Sequence, residues 1–196
     1  MKVSIVIPAY NGERFIANAV KSALAQKLIN PDTNEQEPFK VIVRDDGSTD
    51  GTLRVLLSMD EADERLRIVA GENCGGIAKS FQEAFDLADS EYVVVMGQDD
   101  LIDENYLQRT LAEFKDDIVM VGCQPRFIDA DGNPYTNPAD PRLAIPKAVN
   151  MARAQWQALF KIGNIYFGIN TYLRTAVIEA GGFDEKAGWL LDQDLY

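Results

Sequence analysis

The chain has 196 residues, of which 46% are hydrophobic and 26% charged, and its formal net charge at pH 7 is −12. This length and composition predict one globular domain with its own core and exclude a disordered chain. The lack of histidine excludes Ser-His-Asp and Cys-His catalysis and histidine-bound zinc, and the acidity argues against nucleic acid as a partner. Cys74 and Cys123 lack metal-site spacing, which predicts reduced thiols in a cytoplasmic protein.

Residues 1–115 alternate between strand and helix patterns. Short apolar, β-branched runs predict buried strands, and apolar residues three and four apart predict helices with one buried face. The alternation predicts a mostly parallel sheet with helices on both faces. In chain order we predict a strand over 3–8, a helix over 14–26, a strand over 39–43, a helix over 52–59 capped by Ser48 or Asp50, a strand over 67–70, a helix over 77–88, a strand that begins near 91, a helix over 103–114 and a strand over 117–123.

After residue 123 the predicted elements are separated by longer loops. A turn at 131–133 is predicted to join a strand over 126–130 to a partner near Tyr135, and 137–146 is a proline-rich loop. We predict an amphipathic helix over 149–161, a strand over 165–173, and a helix over 174–180 that Gly181 and Gly182 end.

Two adjacent carboxylates, Asp99 and Asp100, follow the apolar run that begins at Tyr92. Open α/β sheets bind ligands at the carboxyl ends of their strands. Neighbouring anions repel each other unless a cation lies beside them, and Mg²⁺ or Mn²⁺ prefers carboxylate and phosphate oxygens. The pair therefore predicts a divalent metal site, and a solvated Asp-Asp turn is the alternative.

Gly75 and Gly76 precede the predicted helix over 77–88. Glycines at this position allow a ligand to approach the backbone and leave amides free at the helix N-terminus. A tight turn between strand and helix is the alternative interpretation of the pair.

Five short motifs occur in order along almost the whole chain: VSIVIPAYNG at 3–12, DDGSTDGT at 45–52, NCGGIAKS at 73–80, QDD at 98–100 and GGFDE at 181–185. Together they resemble the nucleotide-diphospho-sugar transferases of the GT-A fold, specifically glycosyltransferase family 2. The resemblance implies an α/β, Rossmann-like GT-A fold with a mostly parallel central sheet, helices on both faces and a smaller C-terminal acceptor-side region. It implies a single domain over 1–196, with a nucleotide-sugar-binding half at 1–115 and an acceptor-side half at 116–196.

The resemblance implies a pocket for the nucleotide base at the ends of the first two strands. Pro8, Ala9 and Tyr10 match the base pocket, with Tyr10 available for stacking. Asp46 matches the carboxylate that accepts a hydrogen bond from a ring N–H of the base, and Asp45 is the alternative acceptor.

Further matches lie on the phosphate side of the implied site. Gly76 and Lys79 match positions near the nucleotide, although Lys79 alone is typical of an exposed helix lysine. Asp99 and Asp100 match the region in which carboxylates bind the ribose and a divalent metal, Mn²⁺ or Mg²⁺, on the diphosphate. The family commonly reads Asp-x-Asp-Asp there, and Gly97 stands at the first position.

The C-terminal segment matches the part of the family that supplies the catalytic base. Asp192 falls on the base position of inverting members, which takes the proton of the attacking hydroxyl, and Asp194 is the fallback. Leu191 stands where the family usually has a preceding acid, and the chain ends four residues after Asp192. We therefore expect the natural protein to continue. The loop over 30–38 is longer than the usual family link, which predicts a surface insertion.

The resemblance implies inverting transfer of a sugar from a nucleotide-diphospho-sugar to a hydroxyl acceptor. We expect a UDP-sugar first, with dTDP- or GDP-sugars next, and a surface glycan or its lipid-linked precursor as acceptor. We expect a cytoplasmic protein at the inner face of the membrane, associated peripherally through a region beyond its C-terminus. The alternative is a non-catalytic nucleotide-sugar-binding or scaffold domain, which Gly97 and Leu191 favour. A sugar-phosphate nucleotidyltransferase matches poorly at 10–14, and the sequence has neither a dinucleotide nor a P-loop fingerprint.

Overall fold

The computed structural model describes residues 2–60, 63–115, 117–123, 126–134, 149–152 and 169–183. Strands and helices alternate along the first part of the chain, as the sequence predicts. The elements are β1 (Val3–Ala9), α1 (Ile16–Leu24), β2 (Phe39–Asp45), α2 (Thr52–Asp60), β3 (Leu66–Ala70), α3 (Ile77–Asp86), β4 (Tyr92–Val95), α4 (Tyr106–Leu111), β5 (Ile118–Gly122), β6 (Val149–Ala152), β7 (Asn170–Leu173) and α5 (Arg174–Ala180).

The seven strands of the described residues form one sheet in the order β3-β2-β1-β4-β7-β5-β6. Strands β1 to β4 run parallel to one another. Strand β7 is antiparallel to both β4 and β5, so β5 runs in the direction of β1 to β4, while β6 is antiparallel to β5. Five of the seven described strands therefore point one way, which confirms the prediction of a mostly parallel sheet.

Side chains alternate between the two faces of the sheet and build two separate apolar clusters. Ile5 and Ile7 of β1 pack with residues of α1, α2 and α4 on one face, whereas Val6 packs with residues of α3 and α5 on the other. Burial of one such side chain stabilises the fold by about 1.5–3 kcal/mol. The prediction of helices on both faces is confirmed.

The helices of the described residues are too short or too polar to cross a membrane.

The predicted helix over 149–161 is wrong at its start, because Val149–Ala152 is strand β6. This strand pairs antiparallel with β5, and Gly122 lies opposite Val149. A short apolar run fits a strand or a helix equally well by periodicity. The outer edge of β5 offers backbone hydrogen-bonding partners, and these favour the strand. Residues 153–161 lie outside the described part of the chain.

Two predicted chain reversals are confirmed. The turn at 131–133 is closed by a hydrogen bond from the Asp129 N–H to the Asn133 carbonyl at 2.8 Å, although its flanks form only the single bridge between Ile128 and Pro134. Tyr135 lies outside the described residues. Gly181 ends α5 in the left-handed region, with φ of 98°, a conformation that glycine adopts without steric cost.

The carboxyl ends of the parallel strands define one edge of the sheet. Ala9 of β1 lies opposite Asp45 of β2, and Asp45 lies opposite Ala70 of β3. The chain adds β2 and β3 on one side of β1 and then returns to add β4 on the other side. A topological switch point therefore lies between β1 and β4, where open α/β sheets form their ligand-binding crevice.

Candidate functional site

The loop after β1 is hydrogen bonded to the loop after β2. The Asn11 N–H donates to Ser48 Oγ at 3.0 Å, and the Thr49 N–H donates back to Asn11 Oδ1 at 2.8 Å. The Gly12 N–H donates to Thr52 Oγ1 at 2.8 Å. The two loops therefore form one unit beside the switch point.

Asp50, and not Ser48, caps the start of α2. Asp50 Oδ1 accepts a hydrogen bond from the Thr52 N–H at 2.9 Å, and Asp50 Oδ2 accepts one from the Glu13 N–H at 3.1 Å. Chiefly the hydrogen bond from the Thr52 hydroxyl, together with these amide bonds, holds the pKa of Asp50 below its ordinary value. Its ionised carboxylate stabilises the helix N-terminus.

The residues predicted for the base pocket lie at the end of β1. Pro8 and Ala9 are buried within the strand, and the Ala9 carbonyl accepts a hydrogen bond from the Asp46 N–H at 2.7 Å. Tyr10 follows the strand and is 46% exposed. Its ring is thus available to a ligand, while the two residues before it fix its position.

Asp45 and Asp46, at the end of β2, differ in their hydrogen bonding. Asp46 Oδ1 accepts from the Cys74 N–H at 2.9 Å, and its Oδ2 accepts from the Cys74 thiol at 3.3 Å. Asp45 Oδ2 accepts from the Ser48 N–H at 3.2 Å, whereas Asp45 Oδ1 is buried without a hydrogen-bonding partner among the described residues. A buried carboxylate oxygen without a donor is costly, so this atom is suited to receive one.

Arg44 connects three segments of the site from a buried position. Its guanidinium pairs with the carboxylates of Asp46 and Glu83. It also donates to the Asp45 carbonyl at 3.2 Å and to the Glu72 carbonyl at 3.0 Å. The planar fork of arginine donors suits several acceptors at once. Arg44 therefore joins the end of β2 to the β3–α3 loop and to α3.

Cys74 lies in this cluster as a half-buried free thiol. Burial, and to a lesser degree the nearby carboxylates of Asp46 and Glu83, raise the pKa of Cys74, so the group is a neutral hydrogen-bond donor near pH 7. Ligand atoms of Asp46, Cys74 and Glu83 lie within 4.8 Å of one another. Because the Arg44 guanidinium already pairs with both carboxylates, the cluster is an ion-pair network and not a metal site.

Asp99 and Asp100 follow β4 at the switch point, and both are exposed. A Cβ placed on Gly97 would lie 2.8 Å from Asp100 Oδ2 and 3.1 Å from Asp99 Oδ1, so the two carboxylates converge beside this glycine. Asp100 Oδ2 also accepts a hydrogen bond from the Gly97 N–H at 3.2 Å. The converging carboxylates fit a hard divalent cation whose remaining ligands are phosphate oxygens and water.

Gly76 and Lys79 lie at the start of α3, which follows the carboxyl end of β3. Gly76 precedes the first residue of the helix in an extended conformation, with φ of −172°. Gly75 has φ of 84°, and this left-handed conformation accounts for a glycine there. Lys79 is exposed in the first turn of α3, at the same edge of the sheet as the carboxylates.

The structure thus brings most of the predicted site residues to one edge of the sheet. Asp192 and Asp194 lie outside the described residues. Sequence reasoning missed Arg44, whose signal was a basic residue directly before the Asp45-Asp46 pair at the end of β2. Sequence reasoning also gave no role to Gln98, whose side chain donates a hydrogen bond to the Tyr10 carbonyl at 3.0 Å.

These features define an α/β protein with an acidic candidate site at the switch point of its sheet. The family model described as glycosyl transferase family 2 matches residues 4–181, and the chain belongs to this family. The resemblance stated from the motifs is therefore confirmed.

Two curated relatives and one solved structure illustrate the similarity. Over 162 residues, 79% of this chain and 51% of the relative, the chain is 27% identical to glycosyltransferase GlyG of Streptococcus pneumoniae. Over 137 residues, 69% of this chain and 19% of the relative, it is 34% identical to chondroitin synthase of Escherichia coli. The chain thus matches about half of the length of the first relative and a fifth of the second.

The mannosyltransferase PcManGT of Pyrobaculum calidifontis, solved in complex with GDP-Man and Mn²⁺, has a TM-score of 0.62 and 20% identity over 93% of this chain and 47% of that chain. This likeness shows the shared fold, and the predicted GT-A fold is confirmed.

Proposed function

We propose that this chain transfers a sugar, with inversion, from a nucleotide-diphospho-sugar to a hydroxyl acceptor and uses a divalent cation. Membership of the family supports sugar transfer. The observation that carries the proposal is the convergence of the Asp99 and Asp100 carboxylates beside Gly97, at the switch point next to the exposed ring of Tyr10. Such a site has a surface for a base and oxygen ligands for a metal diphosphate.

The nucleoside part of the donor binds at the ends of β1 and β2. Tyr10 stacks on the base, and a carboxylate at the end of β2 accepts a ring N–H. Asp46 matches the family position for this acceptor. Asp45 is the alternative acceptor: its Oδ1 is buried and has no donor among the described residues, whereas both carboxylate oxygens of Asp46 already accept hydrogen bonds from Cys74.

The diphosphate binds between α3 and the loop after β4. Asp99 and Asp100 hold Mn²⁺ or Mg²⁺, and Lys79 attracts the phosphates from the start of α3. When bound there, the cation would supply positive charge that offsets the negative charge on the departing nucleoside diphosphate. Asp192 accepts the proton of the attacking hydroxyl as general base, with Asp194 as the fallback.

The proposed donor is a UDP-sugar, with dTDP- and GDP-sugars as the next candidates. The relative that is a chondroitin synthase supports a growing glycan as acceptor, and a lipid-linked glycan has the same hydroxyl chemistry. We place the reaction in the cytoplasm, at the inner face of the membrane.

The test is a thermal melt of the protein with a panel of nucleoside diphosphates, each with and without Mn²⁺. A ligand at one hundred times its dissociation constant adds about 2.7 kcal/mol of stability, which corresponds to a rise in Tm of roughly 5–10 °C. We expect this rise for one nucleotide, with Mn²⁺ only, and its loss when Asp99→Ala and Asp100→Ala are combined.

The matched control is Asp89→Ala, which removes an exposed carboxylate before the amino end of β4 and should leave the shift unchanged. The donor site is refuted if no nucleotide shifts a cooperative melt.

The second candidate function is a non-catalytic binding domain, which Gly97 at the first position of the Asp-x-Asp-Asp motif favours. The variant Asp192→Asn separates this candidate from a transferase. A transferase loses turnover in this variant and keeps donor affinity. A binding domain shows no sugar transfer in either form of the protein.

A further inference from the structure

The Gln98 side chain forms two hydrogen bonds with the backbone of Tyr10. The Tyr10 N–H donates to Gln98 Oε1 at 2.9 Å, and Gln98 Nε2 donates to the Tyr10 carbonyl at 3.0 Å. The amide thus satisfies both backbone polar groups of Tyr10, as a neighbouring strand does in a sheet. Glutamine is suited to this pairing because its side chain carries both a donor and an acceptor.

This pair of hydrogen bonds crosses the switch point. Tyr10 directly follows β1 and Gln98 lies three residues after the end of β4, and these two strands are neighbours in the sheet. Gln98 also directly precedes Asp99. The pair therefore links the residue proposed to stack on the base with the residues proposed to hold the metal.

Gly12 makes room for the Gln98 amide. A Cβ placed on Gly12 would lie 2.2 Å from Gln98 Oε1 and 2.6 Å from Gln98 Cδ, so any side chain at this position would force the Gln98 amide to move. Gly12 does not have a left-handed φ, so backbone conformation does not explain a glycine at this position. The space that it leaves for Gln98 does. The same loop is held from the other side by the bond from the Gly12 N–H to Thr52.

We propose that Gln98 is a positioning residue of the donor site, which holds the Tyr10 backbone so that the exposed ring meets the base of the nucleotide. This inference rests on the proposed function. Gln98 acts through Tyr10 and does not itself touch the reacting atoms. Because Tyr10 is proposed to contact the base and not the phosphates, loss of Gln98 should weaken the binding of the nucleoside as much as that of the nucleoside diphosphate.

The test is a double-mutant cycle on Gln98→Ala and Gly12→Ala, read by isothermal titration of UDP with Mn²⁺ and of uridine. Each single variant should weaken both ligands by about ten-fold, as expected for loss of a small number of hydrogen bonds. The added methyl group of Gly12→Ala acts by displacing Gln98. The double variant should therefore bind no more weakly than Gln98→Ala alone.

Independent contributions would instead multiply to about one hundred-fold in the double variant, and that result overturns the proposal. Unchanged affinity in Gln98→Ala, with UDP bound by the wild type, overturns it and leaves the proposed function intact. If the wild type binds neither ligand, the cycle is repeated with the nucleoside diphosphate that shifts the melt and with its nucleoside, and if no nucleotide shifts the melt, both proposals fail. If Gln98→Ala does not fold, unchanged affinity in Gly12→Ala is sufficient to overturn the proposal.

Gln108→Ala is the matched control. Gln108 Oε1 accepts a hydrogen bond from the Ile29 N–H at 2.8 Å, so this variant also removes a contact between a glutamine and the backbone, but in the connection between α1 and β2. It should lower the melting temperature without changing the affinity for UDP. An equal loss of affinity in Gln108→Ala would show that the effect of Gln98→Ala is general destabilisation, and would overturn the proposal.

Discussion

Arg44 is 6% exposed and lies between two carboxylates, and its removal leaves Asp46 buried without its cation. Breaking a buried ion pair from one side costs about 3–5 kcal/mol, because the remaining charge is uncompensated. We expect Arg44→Met to lower the free energy of unfolding by this amount, measured by urea denaturation. Combining it with Asp46→Asn and Glu83→Gln should recover part of the loss.

Arg54 provides the comparison on the surface. It pairs with Glu13 at 3.0 Å, and the two side chains are 82% and 45% exposed. An exposed pair contributes about 0–1 kcal/mol, so Arg54→Met should change the free energy of unfolding by no more than that. Equal losses in the two arginine variants would contradict the role assigned to Arg44.

At the scale of the residue, the sequence indicates which types of group gather at the site but not their pairing. The motifs point to Asp46, Tyr10 and Asp99 because their residue types suit nucleotide and metal binding. The bonds of Gln98 to Tyr10 join residues 88 positions apart, and the bond of Arg44 to Glu83 joins residues 39 apart. Such contacts cannot be predicted from the local periodicity of the sequence, because they depend on how the strand ends meet across the sheet.

At the scale of the element, two neighbouring glycines after α5 differ in their surroundings. Gly181 and Gly182 have φ of 98° and 78°, so alanine at either position incurs about 1–2 kcal/mol of backbone strain. A Cβ on Gly181 meets nothing within 4 Å, whereas one on Gly182 would lie 2.4 Å from Gln82 Oε1. That oxygen accepts a hydrogen bond from the Phe183 N–H at 2.6 Å.

We therefore expect Gly182→Ala to be more destabilising than Gly181→Ala by about 1–3 kcal/mol, the usual cost of overpacking. Urea denaturation of both variants measures the difference. In a Gln82→Ala background the collision is absent, and the two glycine variants should become similar. A persistent difference there would place its cause elsewhere than in Gln82.

The elements themselves were predictable where the hydrophobic pattern was long and where the conformation depends on residues close together in the chain. Strands β1 to β4 and helices α1 to α4 occur where the sequence predicts them, with ends that differ by a small number of residues. Residues 149–152 were misjudged because four residues are too few to distinguish periods of 2 and 3.6. Their conformation is decided by pairing with β5, whose nearest residue lies 27 positions earlier in the chain.

At the scale of the molecule, the net charge of −12 opposes the approach of the proposed anionic donor. The site itself carries more carboxylates than cations: Asp45, Asp46, Glu83, Asp99 and Asp100 against Arg44 and Lys79. Salt screens this repulsion, since the Debye length falls from about 30 Å at 0.01 M to about 3 Å at 1 M. Metal-free UDP, which we expect to bind too weakly to shift the melt, should therefore bind more tightly as the salt concentration rises.

We expect the dissociation constant of metal-free UDP to fall by roughly two- to five-fold between about 20 mM and about 500 mM NaCl, measured by isothermal titration. Uridine is the control, because it carries no charge and should show no such trend. Weaker binding of UDP at high salt would mean that Lys79 and the amides of α3 outweigh the acidic surroundings.

The position of β7 between β4 and β5 also sets the order in which the sheet can be completed during synthesis. In the described sheet, β5 and β6 join the parallel strands only through β7, which begins at Asn170, whereas β4 ends at Val95. At roughly 5–20 residues per second, a ribosome needs about 4–15 s to make the intervening chain. During that time no strand of the described residues covers this edge of β4, and an open edge is the part of a sheet most prone to pairing with another chain. We therefore expect a chaperone to be most effective after the N-terminal sheet has formed and before β7 emerges.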